Sequence, residues 1–145
     1  MNYRFIDDII DLKPAEAIHC IRTWPANLEI FADHFPGFPV VPGVLLTEMM
    51  GQAAALCIEA EESRQDAAVL LKINNATFKS WVEPEQQLDV FATIESVQEK
   101  FARIRAKTEK QGTLVAQCEL LFAFQRKEKL GLPAVDPLIS AYLAK

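Results

Sequence analysis

The residues able to do acid–base chemistry fall within one short segment. His34 lies in Asp33-His34-Phe35-Pro36-Gly37, inside a stretch from Pro25 to Pro42 that holds four of the chain's eight prolines. Proline removes a backbone donor and fixes φ, so this stretch is expected to be a rigid, extended loop that can hold an imidazole base. Glu48 follows fourteen residues later among Leu45, Leu46, Met49 and Met50. A carboxylate is costly in apolar surroundings, and a carboxyl taken out of water keeps its proton more readily, which suits an acid. Gln52, four residues on, shares a helical face with Glu48 and can orient it. Between them, Pro42-Gly43 suits a helix start, whose first N–H groups lack intrahelical partners and carry partial positive charge. Gly43 also lets a ligand approach the backbone closely. Segment 34–52 thus offers a base, an acid and a donor for a developing oxyanion. The second histidine, His19, reads as structural. No Ser nucleophile elbow, phosphate-cradling Gly loop or metal-ligand cluster is present in the sequence.

These residues need elements to hold them. Gly43 to Glu62 reads as the best helix, apolar almost all round and therefore expected to be buried on most faces. Ala17 to Trp24 reads as a strand. From Val69 the pattern turns to long strands at Val69–Val82, Gln87–Glu99, Phe101–Glu109 and Thr113–Phe124. The last places Leu114, Ala116, Cys118, Leu120, Phe122 and Phe124 on one face. Lys110-Gln111-Gly112 reads as a hairpin turn. Short connections imply an antiparallel sheet, and only a sheet wrapped around the helix covers so apolar a cylinder, so the expected class is α+β over a single domain, residues 1–145. In the tail, 130–145, Asp136-Pro137 looks like a cap and first turn for a short helix, Leu138–Leu143.

Composition narrows the class. The chain has 145 residues, half of them hydrophobic and 24% charged, which excludes disorder and a disulfide miniprotein. Cys20, Cys57 and Cys118 share no short spacing and read as buried free thiols of a reducing compartment. The apolar run Val40–Ile58 is broken by Thr47, Glu48 and Gln52, and the first residues show no signal-peptide pattern; the expectation is a cytoplasmic protein without a membrane span. A net charge of −5 disfavours nucleic acid. The basic residues concentrate late, however: six Lys/Arg face fifteen Asp/Glu in residues 1–98, and nine face five in 99–145.

The run His34-Phe35-Pro36-Gly37-Phe38-Pro39-Val40-Val41-Pro42-Gly43-Val44-Leu45-Leu46-Thr47-Glu48, followed by Gln52-Ala53, resembles the signature of the FabZ-type 3-hydroxyacyl-[acyl-carrier-protein] dehydratases, a hotdog-fold family of fatty-acid biosynthesis. The similarity extends through Phe78-Lys79 to about Phe124. It implies an antiparallel sheet wrapped around a central helix. It further implies a homodimer with two shared active sites, His34 of one subunit facing Glu48 of the other, and three such dimers in a hexamer. The implied reaction is loss of water from a (3R)-hydroxyacyl thioester to give the trans-2-enoyl thioester. His34 would take the α-proton, Glu48 would protonate the hydroxyl, and the Gly43 N–H would hold the thioester oxygen. Phe38, Val41, Val44, Leu45, Met49, Gln52 and Phe78 would line or contact the substrate. Because the thioester already acidifies the α-carbon, no metal or organic cofactor is implied. The substrate would ride on acyl carrier protein or CoA, and Lys79, Lys100, Arg103 and Arg105 would meet an acidic carrier.

The sequence departs from the pattern at Glu85, where glycine is usual, at Ser80, where a basic residue is common, and beyond Lys129. Two other readings share the fold: an acyl thioesterase, which the His34/Glu48 spacing disfavours, and a non-catalytic acyl-binding module, for which the chain carries no added basic helical segment.

Overall fold

The computed structural model describes residues 2–145. Six strands form one antiparallel sheet: β1 (Asp8–Lys13), β2 (Ala17–Thr23), β3 (Asp66–Phe78), β4 (Gln87–Val97), β5 (Phe101–Lys110) and β6 (Thr113–Arg126). Their order across the sheet is β1-β2-β4-β5-β6-β3, so β1 and β3 are its edges. Ahead of the central helix α2 (Gly43–Glu59) lies one helical turn, α1 (Ile30–Asp33); the chain ends on α3 (Pro137–Leu143). Helix α2 packs against β2, β3, β4, β5 and β6, which places it across the face of the curved sheet.

The alternation in β6 does what its pattern predicts: Ala116, Cys118, Leu120 and Phe122 are buried while Gln117 is exposed. They meet Met49, Met50, Ala53, Cys57 and Ile58 of α2 in a core that also takes in Trp24, Leu88, Val90 and Ile104. Each large side chain fully removed from water there contributes roughly 1.5–3 kcal/mol of transfer free energy. All three cysteines are free and buried in this core; burial pushes the Cys20 thiol up to about 12 and those of Cys57 and Cys118 to about 11. As thiols they are inert at neutral pH. Among the described residues no helix is long and apolar enough to cross a membrane.

Several boundaries differ from the sequence expectation. Helix α2 ends at Glu59 instead of Glu62, because the chain turns back through Ser63 at φ +63° with Arg64 bonded to Glu61. Strand β3 spans Asp66–Phe78 and not Val69–Val82: after Lys79 donates to Val115 the chain leaves the sheet, and Val82 is buried with its carbonyl accepting from Val41. Strand β1 and the turn α1 were not anticipated at all. The all-round burial expected of α2 holds only on the side facing the sheet; Val44 is 76% exposed and Leu45, Glu48, Gln52 and Ala55 are half-buried. The tail helix starts as expected, with the Asp136 side chain accepting the Leu138 N–H at 2.9 Å and proline in the first turn.

At the far end of α2, Glu59 is surrounded by the tail and by Lys127, whose buried ammonium donates to the Arg64 and Ala134 carbonyls. Burial is the main influence on the Glu59 carboxyl and holds its pKa above the ordinary value, against the Ala68 N–H it accepts and the nearby Lys127 charge. A carboxyl whose folded-state pKa is raised favours folding most below its ordinary pKa, and that contribution is lost as pH rises through the folded value. We therefore expect Glu59→Gln to gain stability relative to wild type on going from pH 4 to pH 7. Urea midpoints at the two pH values check this; equal shifts at both would contradict it.

Candidate active site

His34 ends the single turn of α1, its N–H donating to the Ile30 carbonyl. The loop then closes on itself. Phe35 and Phe38 exchange two backbone hydrogen bonds of 2.9 and 2.8 Å around Gly37, which sits at φ +77° and so favours glycine. Val40 donates to the His34 carbonyl at 3.0 Å, and the His34 Nδ1 lies 3.0 Å from the Val40 carbonyl oxygen. A carbonyl can only accept, so Nδ1 carries the proton and the neutral ring keeps its free lone pair on Nε2. The Phe35 ring stacks on the imidazole with centroids 4.0 Å apart. This loop is tied by its own hydrogen bonds as well as by its prolines, and it presents a half-buried histidine in the tautomer a general base at Nε2 needs.

Helix α2 begins immediately after. Leu45 and Leu46 both donate to the Pro42 carbonyl, at 3.0 and 3.2 Å, while among the described residues the Gly43 and Val44 N–H groups have no acceptor. The Phe78 ring lies against Gly43: a methyl group there would stand 3.0 Å from Phe78 Cε1 and 3.1 Å from Cζ. Around this helix end, Phe35, Phe38, Val44, Phe78 and Trp81 are all more than 40% exposed, with Phe38 and Trp81 edge to face at 5.8 Å. Exposed aromatics gathered in this way mark a surface made to be covered.

Glu48 is half-buried on the outer side of α2, and its Oε1 accepts from Gln52 Nε2 at 3.2 Å. The same Gln52 amide donates to the Tyr3 carbonyl at 2.9 Å and accepts from the Phe5 N–H at 2.8 Å. Its polar atoms are thus engaged by the chain itself, which makes it an orienting partner of Glu48, as its spacing suggests. Within one chain, His34 and Glu48 form no hydrogen bond or ion pair with each other among the described residues. Nor does either line the groove of about 960 Å³ at the opposite end of α2, between residues 59–65 and the tail.

The other expected site residues divide. Phe38, Val44 and Phe78 stand on the rim of the helix start. Val41 and Met49 are buried in the core, 4% and 0% exposed, and offer no face to a ligand in the single chain. Lys79 is exposed directly after Phe78. Arg105 and Arg103 lie on the outer sheet face; from the register Phe78↔Ala116↔Thr108 they are roughly 10 and 17 Å along the strand from the rim, and Lys100 is farther still. Sequence reasoning missed Trp81 and Lys110, whose Nζ donates to the Trp81 carbonyl at 3.1 Å. The available signal was a tryptophan at the end of the expected strand Val69–Val82 and shortly ahead of Pro84; the structure has left the sheet by then, and so large a ring finds little core there. Glu85, where the family usually has glycine, does adopt the left-handed region at φ +66°; its carboxylate accepts the Ala26 N–H at 2.7 Å and anchors the turn.

A family model described as ApeI-like, ApeI dehydratase, matches residues 12–119. The chain belongs to the ApeI-like dehydratase family. Among its curated relatives are two 3-hydroxyacyl-[acyl-carrier-protein] dehydratases FabZ. That of Lactobacillus helveticus is 33% identical over 119 residues, 81% of this chain and 80% of the relative. That of Burkholderia mallei is 37% identical over 120 residues, 80% and 77% of the two chains. Solved structures add the fold. A chain of the dehydratase heterocomplex ApeI:P from Xenorhabdus doucetiae superposes with a TM-score of 0.70 at 18% identity, covering 88% of this chain and 87% of that one. The phenylacetic acid degradation protein PaaI from Thermus thermophilus, in an N33D mutant form, gives 0.61 at 16% identity over 80% and 90%. The sheet wrapped around α2 is the hotdog fold expected from the sequence.

Proposed function

We propose that this dehydratase removes water from (3R)-hydroxyacyl thioesters carried on acyl carrier protein, giving the trans-2-enoyl thioester. The observation that carries the reading is the polarity at His34: Nδ1–H is committed to the Val40 carbonyl, so Nε2 is the base. In the elimination, Nε2 takes the α-proton, and the electron pair released from the C–H bond moves toward the thioester carbonyl. Its oxygen gains negative charge beside the unpartnered Gly43 N–H at the positive end of α2. The pair then forms the Cα=Cβ double bond as the Cβ–O bond breaks, and Glu48 donates its proton to the departing hydroxyl. Water leaves with imidazolium and carboxylate behind, and proton exchange through solvent resets both. The residues alone complete this cycle, so no cofactor is part of the proposal.

The site is built from two copies. Strand β3 is a long edge strand with Val69, Leu71 and Ile73 all more than 40% exposed, a surface that soluble chains normally cover. Pairing two β3 edges antiparallel continues the sheet and lays His34 of one protomer across from the partner subunit's Glu48, which completes the site and takes the acid out of water. The same arrangement sets the Phe78 end of one protomer against the Asp66 end of its partner. There β3 adjoins Phe124, which donates to the Lys100 carbonyl. Lys79 of one subunit and Lys100 of the other then border one mouth, where an acidic carrier docks, with Arg103 and Arg105 farther along the outer face of the strands.

The deciding experiment offers a short trans-2-enoyl thioester and follows its absorbance alongside free thiol. Hydration without thiol release is the expected result. Thiol release without hydration would establish the thioesterase reading instead, and stoichiometric binding with neither would leave an acyl-binding module.

A further inference from the structure

The two ends of the chain meet over the outer side of α2. Arg4 reaches Asp136 with both terminal nitrogens, Nη2 to Oδ1 at 2.8 Å and Nη1 to Oδ2 at 3.4 Å. Asp136 Oδ1 also caps Leu138, so one carboxylate both starts α3 and grips the N-terminal segment. Helix α3 is itself seated by Ile139, 2% exposed, and by Lys145, whose Nζ bonds the Asp8 carboxylate and the Ile9 carbonyl. On either side of Arg4 are the two backbone groups that hold the Gln52 amide.

That amide has one orientation available. The Phe5 N–H can only donate, so it must face Oε1; the Tyr3 carbonyl can only accept, so it must face Nε2. A flip would lose both bonds and oppose like against like. The remaining N–H of Nε2 therefore always points at Glu48 Oε1, which is held as an acceptor. A carboxyl with one oxygen reserved in this way carries its proton on the other. The two backbone groups are not equally secure. Phe5 is fully buried with its ring 4.7 Å from Trp24, so its N–H is fixed by the core. Tyr3 is 60% exposed; its ring rests on Phe5 at 4.7 Å, and its neighbour Arg4 is tied by the ion pair to Asp136.

We propose that this clasp between the chain ends positions the acid: Arg4 and Asp136 hold the Tyr3 carbonyl on Gln52, and Gln52 thereby assigns the transferable proton to Glu48 Oε2. The tail beyond Lys129 then has a task in the reaction although it touches neither substrate nor reacting atoms, and Arg4 and Asp136 are positioning residues. The proposal rests on Glu48 being the acid.

The test compares Arg4→Gln, Asp136→Asn, Gln52→Leu and the double variant Arg4→Gln/Gln52→Leu. Asparagine still caps a helix, so Asp136→Asn separates the clasp from the folding of α3. Two readouts are taken: the NMR order parameter of the Gln52 side-chain amide, and kcat and KM for hydration of the enoyl thioester. Arg4→Gln and Asp136→Asn are expected to mobilise the Gln52 amide and to lower kcat by roughly threefold to fivefold with KM unchanged, a scale set by an exposed ion pair. In the Gln52→Leu background, itself slower by on the order of tenfold, Arg4→Gln should add nothing, because its effect passes through the missing amide. An amide equally ordered without Arg4, or the same loss of kcat with and without Gln52, overturns the proposal. A wild-type protein that hydrates nothing would instead refute the catalytic reading of Glu48, and the amide measurement would still decide whether the clasp locks Gln52.

Discussion

Purified His34→Ala and Glu48→Gln proteins are each expected to be folded and nearly inactive, slower than wild type by roughly a hundredfold or more in enoyl-thioester hydration. Mixed and allowed to exchange subunits, they are expected to recover activity. The reason is geometric. In a mixed dimer, one site takes its histidine from the Glu48→Gln chain and its glutamate from the His34→Ala chain and is intact; the other lacks both. Random exchange makes half the dimers mixed and leaves one working site in each, so recovery should approach about a quarter of the wild-type rate. A site complete within one chain could not be rescued by mixing. If the mixture stays as slow as its components after exchange has been verified by native mass spectrometry, the shared site is wrong, whatever the single substitutions do.

Gly43→Ala should be the next most damaging change, although it removes no functional group. The added methyl would stand 3.0 Å from the Phe78 ring, tighter than ordinary carbon contacts, and the ring, half-exposed, can give way. The fold therefore survives, and thermal unfolding should shift little. What the variant loses is the packing of Phe78 over the helix end and the open approach to the Gly43 N–H. Removing one oxyanion donor from an enzyme costs on the order of a hundredfold in kcat. Obstructing it is expected to cost tenfold to a hundredfold. Because the clash is with one ring, Phe78→Leu combined with Gly43→Ala should regain part of the loss. Full activity in Gly43→Ala alone would mean that this N–H does not carry the developing charge.

The parts of this molecule that could be read from the chain are those with a period. The even positions of β6, the apolar length of α2 and the Asp136-Pro137 start of α3 each state a local rule that the structure obeys. Strand β1 escaped because Asp8, Asp11 and Lys13 interrupt any alternation, and its register shifts between Ile9 and Asp11. The turn α1 is four residues in a proline-rich stretch, too short to show a period. The site was legible in its chemistry, His34, Gly43, Glu48 and Gln52, and illegible in its supports. That Gln52 leans on Tyr3 and Phe5 is a contact across nearly fifty residues, which no local pattern encodes. Hydropathy likewise marked Val44 and Leu45 as apolar, but it does not say whether the covering surface belongs to the same chain. The exposure of Val44 shows that, among the described residues, no surface of the same chain covers it.

The two margins of the sheet are treated differently. Along β1 the chain doubles its own protection, with α3 packed against the strand, a bulge in the ladder, and the Lys145 ammonium seated on the Ile9 carbonyl. Along β3 the ladder also shifts register, between Leu70 and Lys72 and between Asn74 and Thr77, but among the described residues no helix packs over the outer margin and no terminal ammonium is seated on it. A molecule with two open margins would propagate copy after copy into a filament; one with a single open margin terminates as soon as two copies have joined. On the proposed β3 pairing, growth by sheet extension stops at a pair, and any larger particle is built through other faces. Loss of the last few residues would remove that stop, and with it the safeguard against end-to-end polymerisation.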